Sequence, residues 1–221
     1  MTLNSFTSFT PRYRLGCAAL LLILASACSA LRPAAPPEPT FYALDSGAAR
    51  RAPTGGPVGA PTLIVNPPHA ASGYDSQRIL YVREAHRLEY FAHSEWIDSP
   101  ARMIAPLMVA AVDNSGAFRA VVLTPSSAAG DLRLSTEIIR LQQDFSPLPS
   151  RVRFTLRAYL LDNTTRQVLA WREFEETVIA ASDDPYGGVL AANRAVRRVL
   201  EQLANFCSER AVSWSTARLE H

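Results

Sequence analysis

The sequence predicts an α+β fold: a two-layer sandwich in which a mostly antiparallel sheet carries two main helices packed on one face. Three observations carry this expectation. Residues 131–179 alternate apolar and polar side chains over long runs, the period of half-buried strands. Two other segments, from about 99 to 114 and from 185 to 207, repeat apolar residues at helical spacing. The strand candidates come in runs and do not alternate one for one with helices, which favours antiparallel neighbours.

Taken in order, Phe41-Tyr42-Ala43-Leu44 reads as a first strand, and Ser46 to Pro61, rich in Gly, Pro and Ala, as a loop. Thr62-Leu63-Ile64-Val65-Asn66 reads as a strand that Pro67-Pro68 stops. Gln77 to Trp96 reads as a hairpin. Ile79, Tyr81 and Arg83 alternate against Leu80, Val82 and Glu84, and Leu88, Tyr90 and Ala92 mark the return strand. Ala85-His86-Arg87 falls near its turn. Asp98-Ser99-Pro100 is a helix start, an N-cap candidate followed by Pro at the first helical position. Ile104, Leu107, Met108, Ala111 and Val112 give the apolar stripe, and Asn114-Ser115-Gly116 the stop. Phe118 to Leu123 is a further strand candidate.

The clearest alternation sets Leu132, Leu134, Thr136 and Ile138 against Asp131, Arg133, Ser135 and Glu137. Its phase slips at Ile138-Ile139, which predicts a bulge. After Pro147 and Pro149, Val152, Phe154, Leu156, Ala158 and Leu160 alternate with Arg151, Arg153, Thr155, Arg157 and Tyr159. That is a half-buried strand with an arginine-rich outer face. Asp162-Asn163-Thr164-Thr165 supplies a turn, and Gln167 to Ile179 returns. The last helix starts at Asp184-Pro185. Its stripe is Val189, Ala192, Val196, Val199, Leu200, Leu203 and Cys207, wide enough to cover a sheet face.

The chain has 221 residues, enough for one sizeable core. All 22 basic residues are Arg, set against 20 acidic ones. A near-neutral total argues against non-specific nucleic-acid binding, and the lack of Lys removes Schiff-base and P-loop chemistry. Three Cys do not make a disulfide scaffold.

Residues 1–27 read as a signal peptide: Arg12 and Arg14, then an apolar run from Leu15 to Ala27 that is too short to span a bilayer, which takes roughly 20 residues. Its end, Leu24-Ala25-Ser26-Ala27-Cys28, resembles the lipobox of bacterial lipoproteins. The resemblance implies a covalent diacylglyceryl and N-acyl lipid on Cys28, and Ser29 after it implies retention at the outer membrane. Ordinary secretory cleavage near Ala27 is the alternative, leaving Cys28 a thiol. Two or more acyl chains anchor stably where one holds only marginally. Residues 28–40 then form the lipidated cysteine and a tether, stiffened by Pro33, Pro36, Pro37 and Pro39. Residues 41–210 are expected as one domain and 211–221 as a C-terminal tail.

The residues point to no catalytic, cofactor or metal site. His86 and His93 share the hairpin with Glu84, Glu89 and Glu95, but alternation on strands splits such positions between two faces, whereas zinc needs three or four converging ligands. The paired acids Asp183-Asp184 suit a helix cap, and Glu175-Glu176 point to opposite faces. Cys207, without a partner for an intramolecular disulfide, reads as a small buried hydrophobe.

Several segments in sequence resemble one family. They are Phe41-Tyr42-x-Leu44 after a Pro-rich tether, Pro68 leading to Gly73-Tyr74-Asp75-Ser76-Gln77-Arg78, Glu95-Trp96-Ile97-Asp98-Ser99-Pro100-Ala101, and Leu169-Ala170-Trp171-Arg172-Glu173-Phe174. Their order, with the lipobox, resembles the ABC-type transport auxiliary lipoproteins, including the PqiC-like intermembrane-transport lipoproteins. The resemblance covers most of residues 40–207. It implies a non-enzymatic accessory lipoprotein at the outer membrane, facing the periplasm. Its partners would be an inner-membrane ABC transporter or MCE-type complex that moves phospholipid or another apolar solute, and membrane lipid. A homo-oligomer is one form it implies. An outer-membrane assembly or envelope-scaffold lipoprotein is the alternative. Tyr74, Tyr90 and Trp96 are candidate partner-interface residues, because Trp and Tyr dominate hot spots; Trp96 could equally pack beneath the helix that starts at Ser99. The arginines at 151, 153 and 157 could face lipid phosphates, a partner or only solvent.

Overall fold

The structure is a computed structural model and describes residues 38–45, 56–57, 59–146 and 148–219. The signal peptide, Cys28, most of the tether and most of the 46–61 loop lie outside the described residues. In chain order the elements are β1 (Thr40–Tyr42), β2 (Thr62–Val65), β3 (His69–Ala70), β4 (Arg78–Val82), β5 (Leu88–Trp96), α1 (Pro100–Asp113), β6 (Ala120–Leu123), β7 (Leu132–Asp144), β8 (Arg151–Asp162), β9 (Val168–Ile179) and α2 (Pro185–Leu219).

The most regular alternation in the sequence forms the spine of the sheet. One edge of β7 pairs antiparallel with β8 along its whole length, and β8 pairs antiparallel with β9. These two ladders hold most of the paired residues. The other edge of β7 takes β2, β3 and β4 end to end, all parallel to it. The three short strands run as one track in a single direction. Pro67-Pro68, whose rings remove two N–H donors, breaks it after β2. A turn through Gly73, at φ +93°, breaks it again before β4. Outside this track, β6 adds to β2 and β1 to β5 in parallel, and β5 pairs antiparallel with β4.

The predicted bulge is present. Ile138 pairs with Leu156 and Arg140 with Thr155, so Ile139 is the extra residue. It exchanges the two faces of β7. Arg133, Ser135 and Glu137 point outward before it, Arg140 and Gln142 after it.

Both helices cover the inner face. Ile104, Met108 and Val112 of α1 pack there with Val196, Val199, Leu200 and Leu203 of α2, against Leu134, Ile138, Phe154, Leu156 and Phe174. All of these are buried, each contributing about 1.5–3 kcal/mol if it is fully withdrawn from water. Phe174 meets Phe206 edge to face at 5.8 Å.

Ser99 sits at the N-cap of α1 in an extended conformation, without a side-chain cap bond. Asp184 caps α2 more fully, its Oδ1 accepting the Gly187 N–H at 2.7 Å. One expectation is corrected here. α2 does not end near Cys207, and the segment expected as a tail from 211 is helical through Leu219. The stripe continues through Ala211, which is buried, and Trp214 then ties the helix to the end of β8.

Candidate functional site

The sheet face turned away from the helices carries a cross-strand lattice of charge. Arg157 on β8 donates to Glu173 on β9 at 2.9 and 3.2 Å and stands 3.6 Å from Glu137 on β7. Thr155 donates to Glu175 at 2.9 Å. Toward the Asp144 end of β7 the spacing loosens. Arg140 is 3.9 Å from Glu175, and Arg153 Nε is 3.7 Å from Asp144 and 4.0 Å from Glu175. At those distances charge attracts, but no hydrogen bond forms. Arg153 Nε is buried without a hydrogen-bond partner.

The β4–β5 hairpin stands beside this loosened end. Tyr81 pairs with Gln143 of β7, and the Phe145 N–H donates to the Val82 carbonyl at 2.8 Å, so the hairpin is fixed to the spine. Tyr81, Phe91 and Phe145 form an aromatic cluster under it, with centroids 4.5 to 6.3 Å apart. The hairpin turns through His86, whose φ is +68°. Between the turn and the sheet lies an open cleft of about 670 Å3. Arg83, His86 and Arg87 line it from the hairpin. Tyr74, Gln142, Arg140 and Arg153 line it from the sheet side, with Glu84 and Asp144 as its acids.

The three aromatic interface candidates part company. Tyr74 is half-buried in the wall of this cleft, its hydroxyl donating to Gln142 Oε1 at 2.6 Å. Burial raises its pKa above the ordinary phenol value, against the opposing pull of Arg140. Tyr90 is exposed, with the Arg78 guanidinium 4.1 Å from its ring centroid. Trp96 is a correction. It is 3% exposed and packs in the core, so it offers no surface to a partner. Its strand ends shortly before α1, and its side chain shares a small void with Ile79, Leu141 and, from α2, Ala192.

The arginine face also resolves. Arg157 spends its donors on Glu137 and Glu173, whereas Arg153 is only loosely paired. Sequence reasoning missed Arg83, Arg87 and Arg140 as members of one cleft. The available signal was the density of Arg at a turn and on a strand face; what joins them is the parallel β4–β7 pairing.

A second cleft, of about 550 Å3, lies between the end of α2 and the Gly59–Pro61 loop. Trp214, Arg218, Arg119 and Asp131 line it. Inside the core, the void among Ile79, Trp96, Leu141 and Ala192 is about 10 Å3, at the lower limit for a single water. Cys207 is fully buried, and burial pushes its thiol up to about 12, so it is no nucleophile. Among the described residues no three His, Cys, Asp or Glu side chains converge to hold a metal, and no helix is long and apolar enough to cross a membrane.

The family model described as "ABC-type transport auxiliary lipoprotein component" matches residues 42–204, from the end of β1 into α2. No curated protein matches the chain. A crystal structure of a Xanthomonas campestris protein is similar, with a TM-score of 0.71 and 24% identity, over 80% of this chain and 99% of that one. A crystal structure of an uncharacterized protein gives a TM-score of 0.61 at 12% identity, over 77% of this chain and 99% of that one. At these identities the likeness is one of fold.

Proposed function

The chain belongs to the ABC-type transport auxiliary lipoprotein component family, and from that premise we propose that it is the non-enzymatic docking or receiving component of an ABC/MCE-type system that moves phospholipid or another apolar solute between envelope membranes. It is held at the outer membrane, on the periplasmic side, by the diacylglyceryl and N-acyl groups on Cys28. The Pro-rich segment after Cys28 gives the domain reach, at about 3 Å per residue where it is extended.

The observation that carries the reading is that the family match spans almost the whole folded domain. The packing supports docking over carriage of acyl chains. The void in the core is far below the several hundred Å3 of a small-molecule pocket, and the open cleft beside the β4–β5 turn carries four arginines and two acids. Tyr90, exposed beside Arg78 and near exposed Leu88, is the aromatic that a partner would meet.

The test is affinity purification of the full-length lipoprotein from its own membranes, gently solubilised, with proteins identified by mass spectrometry. Recovery of ABC subunits or an MCE-type protein is the expected result. Recovery with outer-membrane assembly proteins alone would overturn the reading. Cys28→Ser should abolish acyl labelling and membrane recovery; a variant that stays with the membrane would remove the anchor from the account.

A further inference from the structure

We propose that the cleft between the β4–β5 turn and the outer face of β7–β8 binds a phosphoryl group, of the kind that an anionic phospholipid headgroup or a soluble phosphate ester presents. This goes beyond the docking role and is tested apart from it.

The argument rests on which arginines in this face are already satisfied. Arg157, outside the cleft, holds two hydrogen bonds to Glu173 and a second carboxylate nearby. The cleft arginines differ. Arg83 has the Tyr81 ring 5.0 Å away and makes no ion pair among the described residues. Arg153 has carboxylate oxygens only at 3.7 and 4.0 Å from Nε; that nitrogen is buried, so the donors it can offer an anion are its terminal guanidinium N–H groups. Arg140 reaches its one carboxylate at 3.9 Å and otherwise interacts with the Tyr74 hydroxyl. Guanidinium N–H groups held this way keep donors for an anion that can approach to about 2.7–2.9 Å.

The walls define the anion. Four arginines face two acids, Glu84 and Asp144, and both acids already lie beside arginines, Arg87 and Arg153. The cations come from the hairpin turn and from the sheet strands, so a group that satisfies more than one of them needs several acceptor oxygens. A phosphoryl group has them, and its oxygens match the guanidinium fork. Tyr74 adds no competing charge, since burial keeps its hydroxyl protonated and Gln142 accepts its proton. The cleft volume leaves room for a headgroup.

The test uses the full-length lipoprotein in a neutral detergent. Glycerol 3-phosphate, dihexanoylphosphatidylglycerol and, as the zwitterionic control, dihexanoylphosphatidylcholine are titrated in by calorimetry. Arg83→Ala removes an exposed side chain with no part in the core; Arg102→Ala removes the same charge from an exposed position on α1. Saturable binding of a phosphate probe is expected, weakened roughly tenfold by Arg83→Ala and unchanged by Arg102→Ala. Preference for dihexanoylphosphatidylglycerol over glycerol 3-phosphate assigns the lipid headgroup, and equal binding assigns a soluble ester; either supports the site. Absence of saturable binding for every probe overturns it, as does equal weakening by the two substitutions. Transporter recovery by the unmodified chain is scored separately, so failure here is not failure of docking.

Discussion

Trp214, in the last turns of α2, donates its indole N–H to Asp162 at the end of β8, at 2.9 Å. The same carboxylate accepts the backbone N–H groups of Thr164 and Thr165 at 2.9 and 2.8 Å. One acid therefore organises the β8–β9 turn and ties the helix end to the sheet. The Thr165 N–H, then the Trp214 indole, hold its pKa below the usual carboxylate range. A depressed carboxylate contributes stability that is present above the unfolded pKa and lost as pH falls through the folded one. The Trp214 indole proton resonance should therefore move to a solvent-exposed position as the solution is acidified below about pH 4. Asp162→Asn should flatten that acid limb. An indole signal that ignores pH down to global unfolding would contradict the tie.

Gly188 places a second constraint on the same helix. A Cβ there would collide with Oε1 of Gln143, a β7 residue only 2% exposed. The Gln143 amide cannot easily turn away, because its Nε2 donates to Ser150 Oγ at 2.9 Å and to the Asp184 carbonyl at 3.3 Å. In an isolated helix Gly→Ala would gain about 1 kcal/mol. Here overpacking of about 1–3 kcal/mol and disturbed buried hydrogen bonds oppose it. Gly188→Ala is expected to lower the urea midpoint. A raised midpoint would mean that the helix start shifts freely.

Much of this architecture was legible because it is local. The slip at Ile138-Ile139 marked the bulge, and Asp184-Pro185 marked the cap and start of α2. What was not legible depends on distant partners. Beyond Cys207 the stripe thins to Ala211 and Trp214 among Ser213, Ser215 and Thr216, and the partner that holds Trp214 lies on another strand. The end-to-end parallel docking of β2, β3 and β4 on β7 leaves no period in the sequence. The cleft follows from that docking, which puts Arg83, Arg140 and Arg153 on one cleft. Trp96 shows the limit of residue type alone, since an indole suits a core as well as an interface.

Cys207 gives a chemical readout of core integrity. Burial pushes its thiol up to about 12. At pH 8 the thiolate fraction is then roughly a thousandfold below that of an ordinary cysteine. Iodoacetamide should leave Cys207 unlabelled in the native protein and label it fully in denaturant, as read by intact mass. The raised pKa also sets a sign. Its contribution to stability is complete below the unfolded thiol value and drains as pH rises from about 9 toward 12. Rapid native labelling at pH 8 would show that the helix–sheet seam opens.

Trp96 and Tyr90 separate folding from docking, since both are aromatic and both sit on β5. Trp96 is buried in the core, and Trp96→Ala should cost about 3–5 kcal/mol. Any loss of transporter recovery in that variant would report a damaged domain. Tyr90 is half-exposed, and truncating it removes a contact with Arg78 worth about 0.5–1 kcal/mol at an exposed site. Tyr90→Ala should therefore keep its urea midpoint nearly unchanged while transporter recovery falls. The paired result is informative because stability and recovery must move independently for a surface residue and together for a core one. A stable Tyr90→Ala that recovers the transporter in full would move the docking surface off β5.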